Sequence, residues 1–199
     1  MKKIFWISLF LLPVFSFAQD EEGGTDKFFK KENCFTGGGL NLSFGSNVTV
    51  LGVNPHFGYT FFNFLEAAAA VNFNYSSLRD PYSPNKDRQT VVSPGMFIRL
   101  FPIKFLFAQV QYEHSFIRTK YFIQNVDTLV EHQGANSILV GGGFASGREP
   151  GEFYYYFSVL WDVAENANSP YSDYYGRAVP IIRAGVNIPL FKGRGHKRD

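Results

Sequence analysis

The segment Leu65 to Ser76, "LEAAAAVNFNYS", separates when every second residue is taken. Leu65, Ala67, Ala69, Val71, Phe73 and Tyr75 are apolar, while Glu66, Ala68, Ala70, Asn72, Asn74 and Ser76 are small or polar. Consecutive alanines favour helix. A helix, however, would bring positions three and four apart onto one face and so mix the two sets. Period two predicts a strand here, provided that the rest of the chain repeats it.

The pattern recurs in seven further segments. Leu40, Leu42 and Phe44 oppose Asn41 and Ser43; Leu51, Val53, Pro55, Phe57, Tyr59 and Phe61 oppose Gly52, Asn54, His56, Gly58 and Thr60. Met96, Ile98 and Leu100 oppose Phe97 and Arg99; Ala108, Val110 and Tyr112 oppose Gln109, Gln111 and Glu113. Three more alternating stretches follow at 137–145, 154–163 and 182–191. Links 62–64, 102–104 and 147–152 are short; links 77–88, 118–133 and 165–177 are long; 46–48 is a short exception. Short turns at one end and long loops at the other mark an up-and-down barrel across an asymmetric boundary, with the short-turn end periplasmic. Pro55 and Pro94 stand at similar heights above their turns, so one bulged level of the wall is expected there.

Charge decides which face meets what. The strand centres carry only Glu66, Arg99, Glu113, Asp162 and Arg183, all on the polar face, and lysines fall outside the strand centres. A solvent-washed face would carry many more charges. A sparse set of mixed sign among Gly, Ser, Asn and Gln suits a narrow interior whose side chains bond to one another. These five residues are expected to form a structural polar network in the lumen. The apolar face is free of charge, as hydrocarbon requires. The predicted fold class is all-β: an eight-stranded antiparallel up-and-down transmembrane β-barrel.

Composition adds a leader and an address. Lys2 and Lys3, the apolar run Ile4 to Val14 and the small-x-small site Ser16-Phe17-Ala18 read as a secretory signal peptide over 1–18. Residues 19–33 read as a flexible periplasmic lead, 34–191 as the barrel, and 192–199 as a basic tail. Without Lys2 and Lys3 the acids and bases balance, which argues against a nucleic-acid partner. The single cysteine, Cys34, can form no internal disulfide. The 23 Phe and 11 Tyr find a reason in interfacial girdles. Phe35, Tyr59, Phe61, Phe62, Phe64, Phe101, Phe105, Phe153 and Phe191 fall near one set of strand ends, and Tyr75, Tyr112, Phe116 and Trp161 toward the other.

Signal peptide, eight alternating strands and the closing "VNIPLF" together resemble the small outer-membrane β-barrel family, the OmpX and opacity-protein type of Gram-negative bacteria. The resemblance covers roughly Phe35 to Phe191. It implies insertion in outer-membrane lipid, with the barrel-assembly machinery as a partner. Where the family usually ends on an aromatic, Phe191 is here followed by "KGRGHKRD".

An eight-stranded barrel is just wide enough for its side chains to fill it, and inward Phe97, Tyr154 and Tyr156 help to block it. The expected role is therefore non-enzymatic: an envelope-structural or surface-interaction protein acting through extracellular loops. In the loop "NANSPYSDYYGR", Tyr171, Tyr174 and Tyr175 are candidates for recognising an extracellular partner. A lipid A-modifying enzyme is one alternative. It would need His and Ser two apart on one face, and in "YEHSF" His114 and Ser115 point opposite ways. A soluble periplasmic lipid-binding barrel is the other. No catalytic residue, cofactor site or metal spacing is read from the sequence.

Overall fold

The computed structural model describes residues 30–45, 48–79, 86–123, 126–148, 152–164, 166, 168–173 and 175–191. The signal peptide, nearly all of the lead, the basic tail and Tyr174 lie outside the described residues. From Lys31 onward the chain forms one compact unit.

After a 3-10 turn at Lys31–Asn33, nine strands follow: β1 (Cys34–Gly45), β2 (Val48–Val53), β3 (His56–Phe62), β4 (Leu65–Arg79), β5 (Lys86–Ile103), β6 (Leu106–Ile123), β7 (Val126–Ser146), β8 (Tyr154–Asp162) and β9 (Ile181–Pro189). Each neighbouring pair is antiparallel. On one edge β1 meets β9, from Phe35↔Pro189 to Ser43↔Ile181, and this pairing closes the sheet on itself. On its other edge β1 meets β3 and then β2, and both of these also pair with β4. The two short strands thus make one stave, and the wall has eight staves.

The gap between β2 and β3 falls at Pro55, which has no N–H to give the ladder. Asn54 N–H still donates to Gly39 O at 2.8 Å, and Pro55 O accepts from Val71 N–H at 3.0 Å. Register is unchanged across the gap, from Leu40↔Val53 to Gly37↔His56, so no residue is inserted. Pro94 likewise stands within an unshifted ladder, opposite Val71. The bulged level expected at these prolines is absent. Register shifts occur instead at Thr60/Phe62, Leu100/Ile103 and Tyr121/Phe122.

Parts of two expected loops are strand. The described residues of 77–88 (77–79 and 86–88) and of 118–133 extend β4, β5, β6 and β7 beyond the wall, and β5, β6 and β7 reach 18, 18 and 21 residues. Alternation fails there because apolar and polar residues fall on both faces, as at adjacent, exposed Leu129 and Val130, so the sequence reads as loop. β7 is paired with β6 along its length but with β8 only from Leu139 onward. Among the described residues, no strand pairs with 126–137 on that edge.

Burial is inverted relative to a water-soluble protein. Asn72, Ser93, Arg99, Gln111, Glu113, Ser137, Ser158 and Arg183 are all at most 1 % exposed, whereas Leu40, Phe57, Met96, Ile98, Val110, Phe116 and Phe157 are exposed. This is the distribution of a barrel that spans a membrane. Exposed Phe61, Phe62, Phe64, Phe105, Phe153, Tyr155 and Phe191 ring the short-turn end, and Tyr75, Tyr112, Phe116 and Trp161 the other. Phe35 and Phe101 do not belong to the first girdle. Both point inward and are buried, because they keep the parity of Asn41 and Arg99 on their strands. Height along the strand was a poor guide for these two; face was the better one.

Room inside is made by glycine. A Cβ on Gly37 would lie 2.5 Å from His56 Nε2 and 2.7 Å from Asn187 Oδ1. Tyr156 Oη similarly stands 2.6 Å from where a Cβ on either Gly39 or Gly185 would be. Bare wall at these points lets large polar side chains cross the lumen.

Candidate functional site: the lumen and its two mouths

The short-turn mouth is closed by an arginine from the β7–β8 turn. Arg148 Nε and Nη2 donate to Glu66 Oε1 at 3.1 and 2.9 Å, Nη1 donates to the Asn63 carbonyl, and the guanidinium lies 3.8 Å over the Phe101 ring. From Glu66 a chain of side chains climbs the lumen. Tyr154 Oη donates to Glu66 Oε2 at 2.6 Å, and Asn187 Nδ2 donates to Tyr154 Oη at 2.6 Å. His56 spans Asn187 Oδ1, 2.7 Å from Nε2, and the Asn54 carbonyl, 3.1 Å from Nδ1. Asn54 and Asn41 both donate to Asn72 Oδ1, and Asn72 donates to Glu113 Oε2 at 2.5 Å.

Mid-lumen, Gln111 Oε1 accepts from Arg183 Nη1 at 2.5 Å and from Gln109 Nε2 at 3.0 Å. Gln109 Oε1 accepts from Arg99 Nε at 2.8 Å. The Arg99 guanidinium lies against three rings, 4.5 Å from Phe97, 4.9 Å from Phe107 and 4.1 Å from Tyr156.

At the far mouth the β8–β9 connection folds inward. Tyr171 is 1 % exposed, clusters with Leu139, Leu160 and Ile181, and accepts a bond from Asn74 Nδ2 at 3.1 Å. Asp162 anchors this segment. It accepts from Ser169 Oγ at 2.5 Å and from the backbone N–H groups of Ile138 and Ala164. Asp173 holds the outer turn through the N–H groups of Tyr175 and Arg177 and an ion pair to Arg177 Nη2 at 2.7 Å.

All five charged residues expected in the lumen are there and buried. They are not joined by direct ion pairs into one salt-bridge network. Arg183 and Glu113 approach to 4.0 Å, Glu66 pairs with Arg148, Asp162 binds backbone and Ser169, and Arg99 makes no carboxylate ion pair among the described residues. Neutral amides join these neighbourhoods. Sequence reasoning missed Arg148 and the inward turn of Tyr171. A signal for the first was available: three acids against two arginines left one cation unaccounted for. Of the candidate recognition tyrosines, Tyr175 is exposed, but Tyr171 is enclosed and its ring is not presented to an outside partner.

His114 faces outward, with Nδ1 2.6 Å from Asn136 Oδ1; Ser115 is buried and bonded to Ser93 at 2.8 Å. The two never share a face, so the pair cannot act as base and nucleophile on one substrate. Among the described residues no group of three or more His, Cys, Asp or Glu side chains is placed to hold a metal ion.

Neither the protein-family models nor the curated proteins contain a match to the chain. Solved structures do. The attachment invasion locus protein Ail of Yersinia pestis aligns with 12 % identity and a TM-score of 0.47, covering 77 % of this chain and 94 % of Ail. Neisserial surface protein A gives 14 % and 0.42 over 79 % and 96 %; the N-terminal β-barrel domain of Pseudomonas aeruginosa OprF gives 12 % and 0.40 over 78 % and 96 %. The fold is a small, closed, up-and-down β-barrel. That statement rests on the β1–β9 pairing and the inverted burial of the chain itself.

Proposed function

We propose that the protein is a non-enzymatic, non-conducting anchor in the outer membrane of a Gram-negative cell, displaying a β-sheet extension that binds an extracellular partner. The carrying observation is that β4 to β7 continue past the wall and leave 126–137 without a partner strand on one edge among the described residues. An unpaired edge is a template for an added strand. Strand addition recognises an extended peptide through backbone hydrogen bonds, and alternate side chains set preference. Supporting non-conduction, both mouths are filled by Arg148 and Tyr171, and the lumen between them is packed with bonded side chains. A polar interior offers no cavity for a lipid, which disfavours the soluble carrier. Exposed Tyr175 remains a candidate for a secondary contact.

The test is cell-surface display against a phage library of extended peptides. Intact protein should enrich β-prone sequences, and a variant with 119–130 replaced by Asn-Gly should not. Equal enrichment by both, or by neither, would reject the proposal. In planar bilayers the purified protein should show no unitary conductance.

A further inference from the structure

The mid-lumen holds more hydrogen-bond donors than its protein acceptors use. Arg99 Nη1 and Arg183 Nε and Nη2 are buried without a hydrogen-bond partner, as are Tyr156 Oη and Ser158 Oγ. Two acceptors, Asn41 Oδ1 and Glu113 Oε1, are also unpartnered. Three guanidinium nitrogens carry five protons and the two hydroxyls two more, against four unpartnered oxygens, the hydroxyls counted as acceptors as well as donors. The register groups the donors. Ser158 is the β8 partner of Arg183, Tyr156 is two residues below it on the same inward face, and the Arg99 guanidinium lies 4.1 Å from the Tyr156 ring. A run of bonds through Gln109 and Gln111 ties the two arginines together.

Charge is uneven at this level. Glu66 is taken by Arg148 at the short-turn mouth, and Asp162 is satisfied by Ser169 and backbone N–H groups, four residues or about 13 Å beyond Ser158. Glu113 approaches Arg183 only to a loose 4.0 Å, and Arg99, although it stands directly across the β4–β5 ladder from Glu66, makes no carboxylate ion pair among the described residues. An uncompensated buried cation is costly, by several kcal/mol per ion.

We propose that a small monovalent anion, of the halide class, is bound in the lumen between Arg99 and Arg183, with the Ser158 and Tyr156 hydroxyls completing its donor shell. The rings of Phe97, Phe107 and Tyr156 crowd the Arg99 guanidinium at 4.1–4.9 Å, which favours a small anion over a large oxyanion. Because both mouths are filled, the anion is captured as the barrel folds rather than exchanged afterwards.

The experiment follows from that. Protein is refolded into detergent micelles in bromide or in gluconate at matched ionic strength, and the bromide sample is crystallised for anomalous diffraction at the bromine edge. One anomalous peak among Arg99, Arg183 and Ser158 is expected. No peak there, or ordinary water density alone, overturns the site. Thermal unfolding supplies a second reading: the midpoint after refolding in bromide should exceed that in gluconate by about 3–8 °C. This difference should vanish in Arg183→Met and shrink in Ser158→Ala, which keeps both guanidiniums and is the readout if Arg183→Met fails to fold. Equal midpoints for the intact protein in the two anions overturn the proposal.

Discussion

Arg148 is a single residue on which one end of the lumen depends. Its guanidinium satisfies Glu66, caps the Asn63 carbonyl and covers Phe101. Arg148→Ala leaves Glu66 buried with only Tyr154 as a donor. Breaking a buried pair costs about 3–5 kcal/mol; Arg148 is 11 % exposed, so a loss of about 2–4 kcal/mol is expected by urea unfolding in micelles. A loss under about 0.5 kcal/mol, typical of exposed pairs, would show that the contact is incidental. Gly37→Ala tests the bare wall: a methyl pressed against the Val186 carbonyl and 2.5 Å from His56 Nε2 must shift the β1–β9 seam as well as the His56–Asn187 bond, at about 1–3 kcal/mol. At this scale the sequence was readable for parity and blind to reach. Alternation placed Glu66, Arg99, Glu113, Asp162 and Arg183 inside. It could not say that a turn arginine would fold back to meet Glu66, because that depends on the width of the closed barrel.

The β8–β9 connection is the element whose character changed most between sequence and structure. Its composition, rich in Ser, Asn, Asp and Tyr, reads as a solvated loop, yet Tyr171 inserts among Leu139, Leu160 and Ile181. The insertion depends on a long-range apolar pocket that no local pattern reveals. Asp173 organises the outer turn. Burial works against its charge, but the side chain and backbone of Arg177 and the backbone of Tyr175 outweigh this and hold the carboxyl below its usual 3.8. A depressed folded value means that the stabilisation is present above pH 3.8 and is lost as pH falls through the lower folded value. The Tyr175 and Arg177 amide resonances should therefore keep their dispersion at neutral pH and lose it in strong acid, while wall resonances remain. Concerted loss of wall and turn signals would contradict an independent local clasp.

For the whole molecule, the inverted burial makes a prediction about the outer face. Val110→Arg places a charge at mid-height on the outer surface and should cost about 2–4 kcal/mol in a bilayer folding equilibrium. In a water-soluble barrel the same exposed substitution would fall within about 0.5 kcal/mol, so a negligible change would remove the protein from the membrane. Strand number, closure and the choice of wet face were legible because a period of two over eight segments is a global signal. The height of the β4–β7 extension was not, since strand beyond the hydrocarbon carries no alternation to read.

Both seals are borne by the segments flanking β8: Arg148 comes from the turn before it and Tyr171 from the connection after it. β8 and β9 are also the last staves of the wall, and β9 closes it against β1. Plugging of the far mouth and the joining of first strand to last are therefore carried by the same C-terminal segment. A chain stopped before β8 would keep Arg148 but lack Tyr171 and the closing strand, so the far stopper doubles as a mark of complete assembly.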